Sequence, residues 1–214
     1  CGSSPPVRDK SGIDENLERF NRAARQAFDK GQFEQAASLY QRVLERALVR
    51  DDSGAIIDAR YNLAVCLTGL RLYDQAIAAA QEAVNLASVA QGVDHTVLIE
   101  AKGHLHWGQA LSCQGEYKAA QTQLEQALES AQAASLLQEA ANALSVLGAV
   151  LGNQGDYARA TKCLDQALSV YREMNHKRGE GMVLNNLGYV YQRQGDLDKA
   201  KHFFEQTLLA YRQV

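Results

Sequence analysis

The sequence predicts an all-α solenoid built from five helix–turn–helix repeats, and three observations carry that prediction. Proline is confined to Pro5 and Pro6, so residues 7–214 lack the residue that breaks helices by having no amide hydrogen. Alanine, the strongest helix former, occurs 33 times. A short turn signature recurs five times at nearly constant spacing, with helical apolar patterning on each side. The 214 residues, 46% hydrophobic and 22% charged, correspond to one domain or two and can bury a core. All-β and disordered architectures do not fit this composition. A net charge of −3, with no cluster of Lys and Arg, argues against a nucleic-acid partner. No apolar run approaches the roughly 20 residues of a membrane-spanning helix.

The first element is a flexible tether over residues 1–12, ahead of the helical pattern that begins near Ile13. It opens Cys1-Gly2-Ser3-Ser4-Pro5-Pro6. These residues resemble the mature N-terminus of a bacterial lipoprotein, in which a cleaved signal exposes a cysteine that carries lipids; an arbitrary fragment start would leave the same six residues. The resemblance implies lipidation of Cys1 and a membrane anchor, since more than one acyl chain is needed for stable attachment. It also implies the bacterial cell envelope, on the periplasmic side. Gly2 is not the Asp that holds lipoproteins at the inner membrane, which favours the outer one. A cytoplasmic location is the alternative, and Cys66, Cys113 and Cys163, three thiols with no evident pairing, fit it better than export.

Residues 13–214 form the solenoid. The signatures are Gly31-Gln32-Phe33-Glu34, Arg71-Leu72-Tyr73-Asp74, Gly115-Glu116-Tyr117-Lys118, Gly155-Asp156-Tyr157-Ala158 and Gly195-Asp196-Leu197-Asp198. Their third residues are spaced by 40, 44, 40 and 40. This divides the chain into units of about 14–52, 53–92, 94–134, 135–175 and 176–214. Gly31, Gly115, Gly155 and Gly195 at the end of the first helix permit a tight turn, and in every unit an alanine three residues after the aromatic or leucine (Ala36, Ala76, Ala120, Ala160, Ala200) lets two helices approach. Gly108, Gly148 and Gly188 serve the same approach from the first helix, with Leu63, Trp107, Leu147 and Leu187 filling the space between helices. The longer step is taken up around residues 92–96, where Asp94 or Thr96 caps the next helix.

These residues resemble the tetratricopeptide repeat. The fifth unit carries Leu187-Gly188, Tyr191, Gly195, Ala200 and Phe204; the fourth carries Leu147-Gly148, Leu151, Gly155, Tyr157, Ala160 and Ala167. The first unit departs, with Ala23-Ala24 in place of Leu-Gly, and the family's unit-end proline is absent throughout. A period near 40 instead of about 34 is similar to the long-helix subgroup of kinesin light chains and LGN-type scaffolds. The resemblance implies a right-handed superhelix with a concave groove lined by the first helix of each unit. It therefore implies a protein or peptide partner.

Extrapolated onto that geometry, the groove positions are Arg22 and Arg25 in unit one and Tyr61 and Asn62 in unit two. Lys102, His106 and Gln109 follow in unit three, Asn142 in unit four, and Asn185, Asn186, Tyr189 and Arg193 in unit five. Ser145 and Asn153 share the unit-four face. Asn62 and Asn186 hold the family position whose amide grips a ligand backbone, because an amide both donates and accepts. The family's carboxylate clamp is not matched, as Val65 and Val146 occupy clamp positions. Arg22 and Arg25 either receive an acidic segment or form a solvated face with Glu18 and Asp29. At the C-terminal end, Phe203, Phe204, Leu208, Leu209 and Tyr211 cover more than one face of the last helix, which predicts a docking patch for another protein or a second copy.

No catalytic signature is present. His104 and His106 leave a helix on different faces, and no H-E-x-x-H, phosphate-loop or G-x-S-x-G motif occurs. No C-x-x-C spacing occurs either, so neither a metal nor a cofactor is expected, and Cys66, Cys113 and Cys163 read as buried thiols. The expected function is a non-catalytic interaction scaffold or assembly factor, tethered to a membrane through Cys1. The alternatives are a permanent structural subunit of a membrane-associated complex and a cytosolic peptide-binding adaptor.

Overall fold

The computed structural model describes residues 14–90 and 96–213. The tether, Cys1 and Asp94 lie outside the described residues. Among the described residues ten helices follow one another: α1 (Glu15–Asp29), α2 (Phe33–Arg50), α3 (Ser53–Gly69), α4 (Tyr73–Val89), α5 (Thr96–Gln114), α6 (Tyr117–Ala133), α7 (Leu137–Gln154), α8 (Tyr157–Glu173), α9 (Lys177–Gln194) and α10 (Leu197–Tyr211). No strand occurs among the described residues. Each helix is 15 to 19 residues long, so helix length accounts for the long period.

Capping fixes where helices begin. Asp14 accepts from the Asn16 and Leu17 amides at 3.0 and 3.2 Å, and Asp52 accepts from Ala55 at 3.0 Å. Asp156 and Asp196 do the same for α8 and α10. Thr96 is already within α5 and so is not its cap. The turns close by one recurring bond, from the second residue past the helix to a carbonyl five back, as in Asp156 N to Leu151 O at 3.0 Å. That closure needs a left-handed residue. Gly155 supplies it at φ 86°, whereas the second unit forces Arg71 to φ 61°. The turns between units use Asp51, Ser135 and Asn175 in the same conformation.

Within each unit the two helices meet at small residues. Ala36, Ala76, Ala120, Ala160 and Ala200 are at most 3% exposed. A Cβ on Gly148 would come within 2.6 Å of Leu164 Cγ, and one on Gly188 within 2.5 Å of the Phe204 ring. Leu63, Leu147 and Leu187 are buried between the helices as expected. Trp107 differs: it is half-buried, its indole lying flat along the His104 ring at 6.0 Å. The thiols differ too. Cys66 is buried and Cys163 half-buried, but Cys113 is exposed at the end of α5.

The stack has two layers. α3 packs on α5, α5 on α7 and α7 on α9, so first helices form the tighter, inner layer. Second helices pack on the first helices before and after them and form the outer layer. Among the described residues three apolar clusters fill the space: one over α1–α3, one over α5–α10, and a small one of Ile57, Ala87 and Ile99 between them.

Candidate functional site

The inner layer collects most groove positions expected from the sequence. At its N-terminal end Arg22 and Arg25 are exposed on α1. In its middle the Tyr61 ring of α3 lies 5.7 Å from the His106 ring of α5. One turn earlier, Lys102 Nζ pairs with Glu139 of α7 at 3.5 Å. Glu139 carries no sequence signal of its own, yet it decides that Lys102 is not a free cation.

The central pair is held neutral. Burial pulls the His106 imidazole down to about 4, with the Lys102 charge adding to the effect and a Gln109 hydrogen bond opposing it. Its Nδ1 is buried without a hydrogen-bond partner. Burial pushes the Tyr61 phenol up to about 12, with Glu139 and Tyr40 contributing. Neither group therefore changes charge near neutral pH.

Several amides expected to face a ligand are engaged within the protein. Asn62 Nδ2 donates to the Asp58 carbonyl of its own helix at 2.8 Å. Asn142 Oδ1 accepts from Tyr171 Oη at 2.5 Å. Asn186 Nδ2 donates to buried Ser145, at 3.2 Å to Oγ and 3.4 Å to the carbonyl, tying α9 to α7. Asn185 is half-buried beside it.

The remaining positions converge on one cleft between α7 and α9. Ala149, Gly152, Asn153, Asn186, Tyr189, Val190 and Arg193 line about 140 Å³. Its floor exists because Gly152 lets α9 close in; a Cβ there would come within 2.8 Å of Val190 Cγ2. Asn153, Tyr189 and Arg193 are exposed at its rim. Among the described residues the Arg193 guanidinium has no ion pair, while its carbonyl accepts from Tyr157 Oη at 3.2 Å. The cleft thus offers a cation, an amide and an aromatic platform, which suits a peptide with an acidic side chain.

At the C-terminal end the expected patch divides. Phe203 stacks on Tyr191 at 5.3 Å and Phe204 packs edge-on to Tyr189, also at 5.3 Å, so both rings serve the fold. Leu208, Leu209 and Tyr211 stay exposed. Among the described residues no group of three or more His, Cys, Asp or Glu side chains could hold a metal ion. No helix among them is long and apolar enough to cross a membrane.

Two family models, both described as tetratricopeptide repeat, match residues 21–91 and 139–213. Among curated proteins no sequence matches the chain. Solved structures share its fold. BtubC (BKLC) from P. vanneervenii superposes with a TM-score of 0.73 at 21% identity, over 92% of this chain and 80% of that one. The apo form of RapI gives 0.78 at 15% identity, over 92% and 70%. Nearly identical repeats of a putative kinesin light chain from Podospora anserina give 0.68 at 17% identity, over 94% and 98%.

Proposed function

We propose, from the premise that the chain belongs to the tetratricopeptide repeat family, that it is a non-catalytic protein-interaction scaffold whose partner lies as an extended segment along the inner helices. The observation that carries this reading is the α7–α9 cleft, where Asn153, Tyr189 and Arg193 reach solvent around a preformed floor. A stacked array supplies such a surface with little ordering on binding, because the helices that line it are already held by their neighbours. The Arg193 guanidinium favours a partner segment carrying Asp or Glu. His106 and Tyr61, both neutral, contribute shape and hydrogen bonding in the middle of the face.

A photo-crosslinking residue at Tyr189, compared with one at exposed Lys162 of the outer layer, tests the reading in native extracts. Tyr189 is expected to capture one protein, and Arg193→Glu to weaken that capture at least tenfold. Equal capture from Lys162 would refute the inner face as the binding surface.

The same proposal places the scaffold at a membrane of the bacterial envelope, held by lipid on Cys1. Its support is the pattern of residues 1–6. Mass spectrometry of the N-terminal peptide after native expression decides this: an unmodified Cys1 removes the anchor and leaves an adaptor free of the membrane.

A further inference from the structure

The outer layer opens between α2 and α4, which both pack on α3. Leu63 and Leu67 of α3 floor a cleft of about 470 Å³ there, and Ala37, Leu44, Ala78 and Ala79 wall it. Arg60 lines it beside them. In the later units the place of Arg60 is taken by His104, Leu144 and Leu184, at the same steps of 44, 40 and 40. Each of those is provided for within the chain. Leu144 and Leu184 are buried, and His104 Nδ1 donates to Gln123 Oε1 of α6 at 2.8 Å. The counterpart of Gln123 in α4 is Ala79, 44 residues earlier. Arg60 Nη1 pairs with Glu82, but Arg60 Nε is buried with no acceptor. The cleft thus lies where, one unit later, an amide side chain stands.

The crest of α4 beside this cleft departs from the pattern too. Its outward row, Ala78, Gln81, Asn85 and Ser88, is exposed and uncharged. The place of Gln81 holds Glu125 in α6, Asp165 in α8 and Glu205 in α10, and Glu45 of α2 holds that of Asn85. Those faces carry charge into water, whereas short and amide side chains suit a helix packed against them. On the groove side, Leu86 and Val89 continue the row of Ala79 and Glu82 and are 37% and 74% exposed. We infer that this face seats a second copy of the chain, about a two-fold axis that lays the α4 crest of each copy into the α2–α4 groove of the other. The composition of the face selects that occupant. The groove lacks an acceptor and the crest offers two amide carbonyls, Gln81 and Asn85, so each copy supplies what the other needs. The Arg60 and Glu82 charges cancel and the crest adds none, so like faces meet without repulsion. Leu86 and Val89 leave water in the same contact. The face lies within the array and shares no residue with the α7–α9 cleft, so the two surfaces stand or fall separately.

Analytical ultracentrifugation of the full chain from about 5 to 500 µM tests this. A contact of two helices from each copy is small, so a reversible dimer with a dissociation constant of about 10 to 100 µM is expected. Gln81→Lys carries a cation to Arg60 of the partner copy and should weaken the dimer at least tenfold. Ala79→Gln should do the same by another route, since it gives Arg60 an acceptor within its own chain and fills the cleft. It should leave the urea midpoint of the monomer unchanged or raised. Neither site is buried, so the circular dichroism of both variants should match that of the native chain. A chain that stays monomeric across that range overturns the inference and leaves the face to a different protein. A dimer that tolerates both Gln81→Lys and Ala79→Gln also overturns it, because another surface then joins the copies.

Discussion

The two ends of the array are built from different material. From α5 to α10 one continuous cluster runs from Leu105 to Ala210, and its helix pairs close by setting glycine against a large side chain: Gly108 on Leu124, Gly148 on Leu164, Gly188 on Phe204. In the second unit the matching residues are Ala64 and Ala80, both buried. The buried face of α4 is Ala76, Ala80, Ala83, Val84 and Ala87. Such helices lie close together yet remove little apolar area from water, and stability follows area. In a repeat array, stability is a sum of unit and interface contributions. The lesson is that even spacing in sequence does not mean even stability: the thin second unit is where the array should part.

The largest expected effect tests that directly. Leu164→Ala, at a fully buried site facing Gly148, should cost about 3 to 5 kcal/mol, whereas Val84→Ala should cost about 1 to 2. Urea unfolding should then report two transitions. Fluorescence of the single tryptophan, Trp107 in α5, should follow the C-terminal body and lag behind circular dichroism, which also senses α1–α4. Coincident transitions, or equal costs for the two variants, would mean that the array unfolds as one body.

The second effect lies at the junction, where His106 packs against Tyr61. The unfolded imidazole titrates near 6.5, but the folded one stays neutral down to about 4. Unfolding therefore takes up a proton between those values. Stability is fully present above pH 6.5 and falls as pH drops toward 4, by no more than about 3 kcal/mol. Carboxylates held low by their partners, such as Glu180 beside Lys177 and Arg172, lose their contribution only at lower pH. Urea midpoints at pH 7.5 and 5.0 should differ for the native chain and differ less for His106→Gln. An unchanged difference in His106→Gln would place the acid sensitivity elsewhere.

Much of this was legible in the residues, and what was not has a physical cause. Turn glycines and the alanine that follows each turn mark the helix pairs because local backbone demands select them. The turns between units gave no such signal: Asp51, Ser135 and Asn175 adopt left-handed backbone that short polar side chains tolerate without glycine. Register alone brings Asn153, Asn186, Tyr189 and Arg193 to one face. It does not say which amides are already engaged, since Asn142 meets Tyr171 29 residues away and Asn186 meets Ser145 41 residues away. Glu139, which occupies Lys102, has no pattern that announces it. Phe203 and Phe204 read as a surface patch because adjacent apolar residues on a helix cover two faces, and only the neighbouring Tyr191 and Tyr189 rings decide which face is inside.

The smallest effect concerns the turn of the same weak unit. Four of the five turns within units place glycine in the left-handed conformation, and the second places Arg71 there at φ 61°. That conformation costs an L side chain about 1 kcal/mol, partly offset because glycine loses more freedom on folding. Arg71→Gly should therefore stabilise the chain by about 0.5 kcal/mol, and Gly155→Ala, the reverse change in the strong half, should destabilise it by about 1 kcal/mol. The gain should appear in the earlier of the two urea transitions and leave the Trp107 transition in place. A gain shared equally by both transitions would show that the second unit is coupled to the C-terminal body more tightly than its alanine core allows.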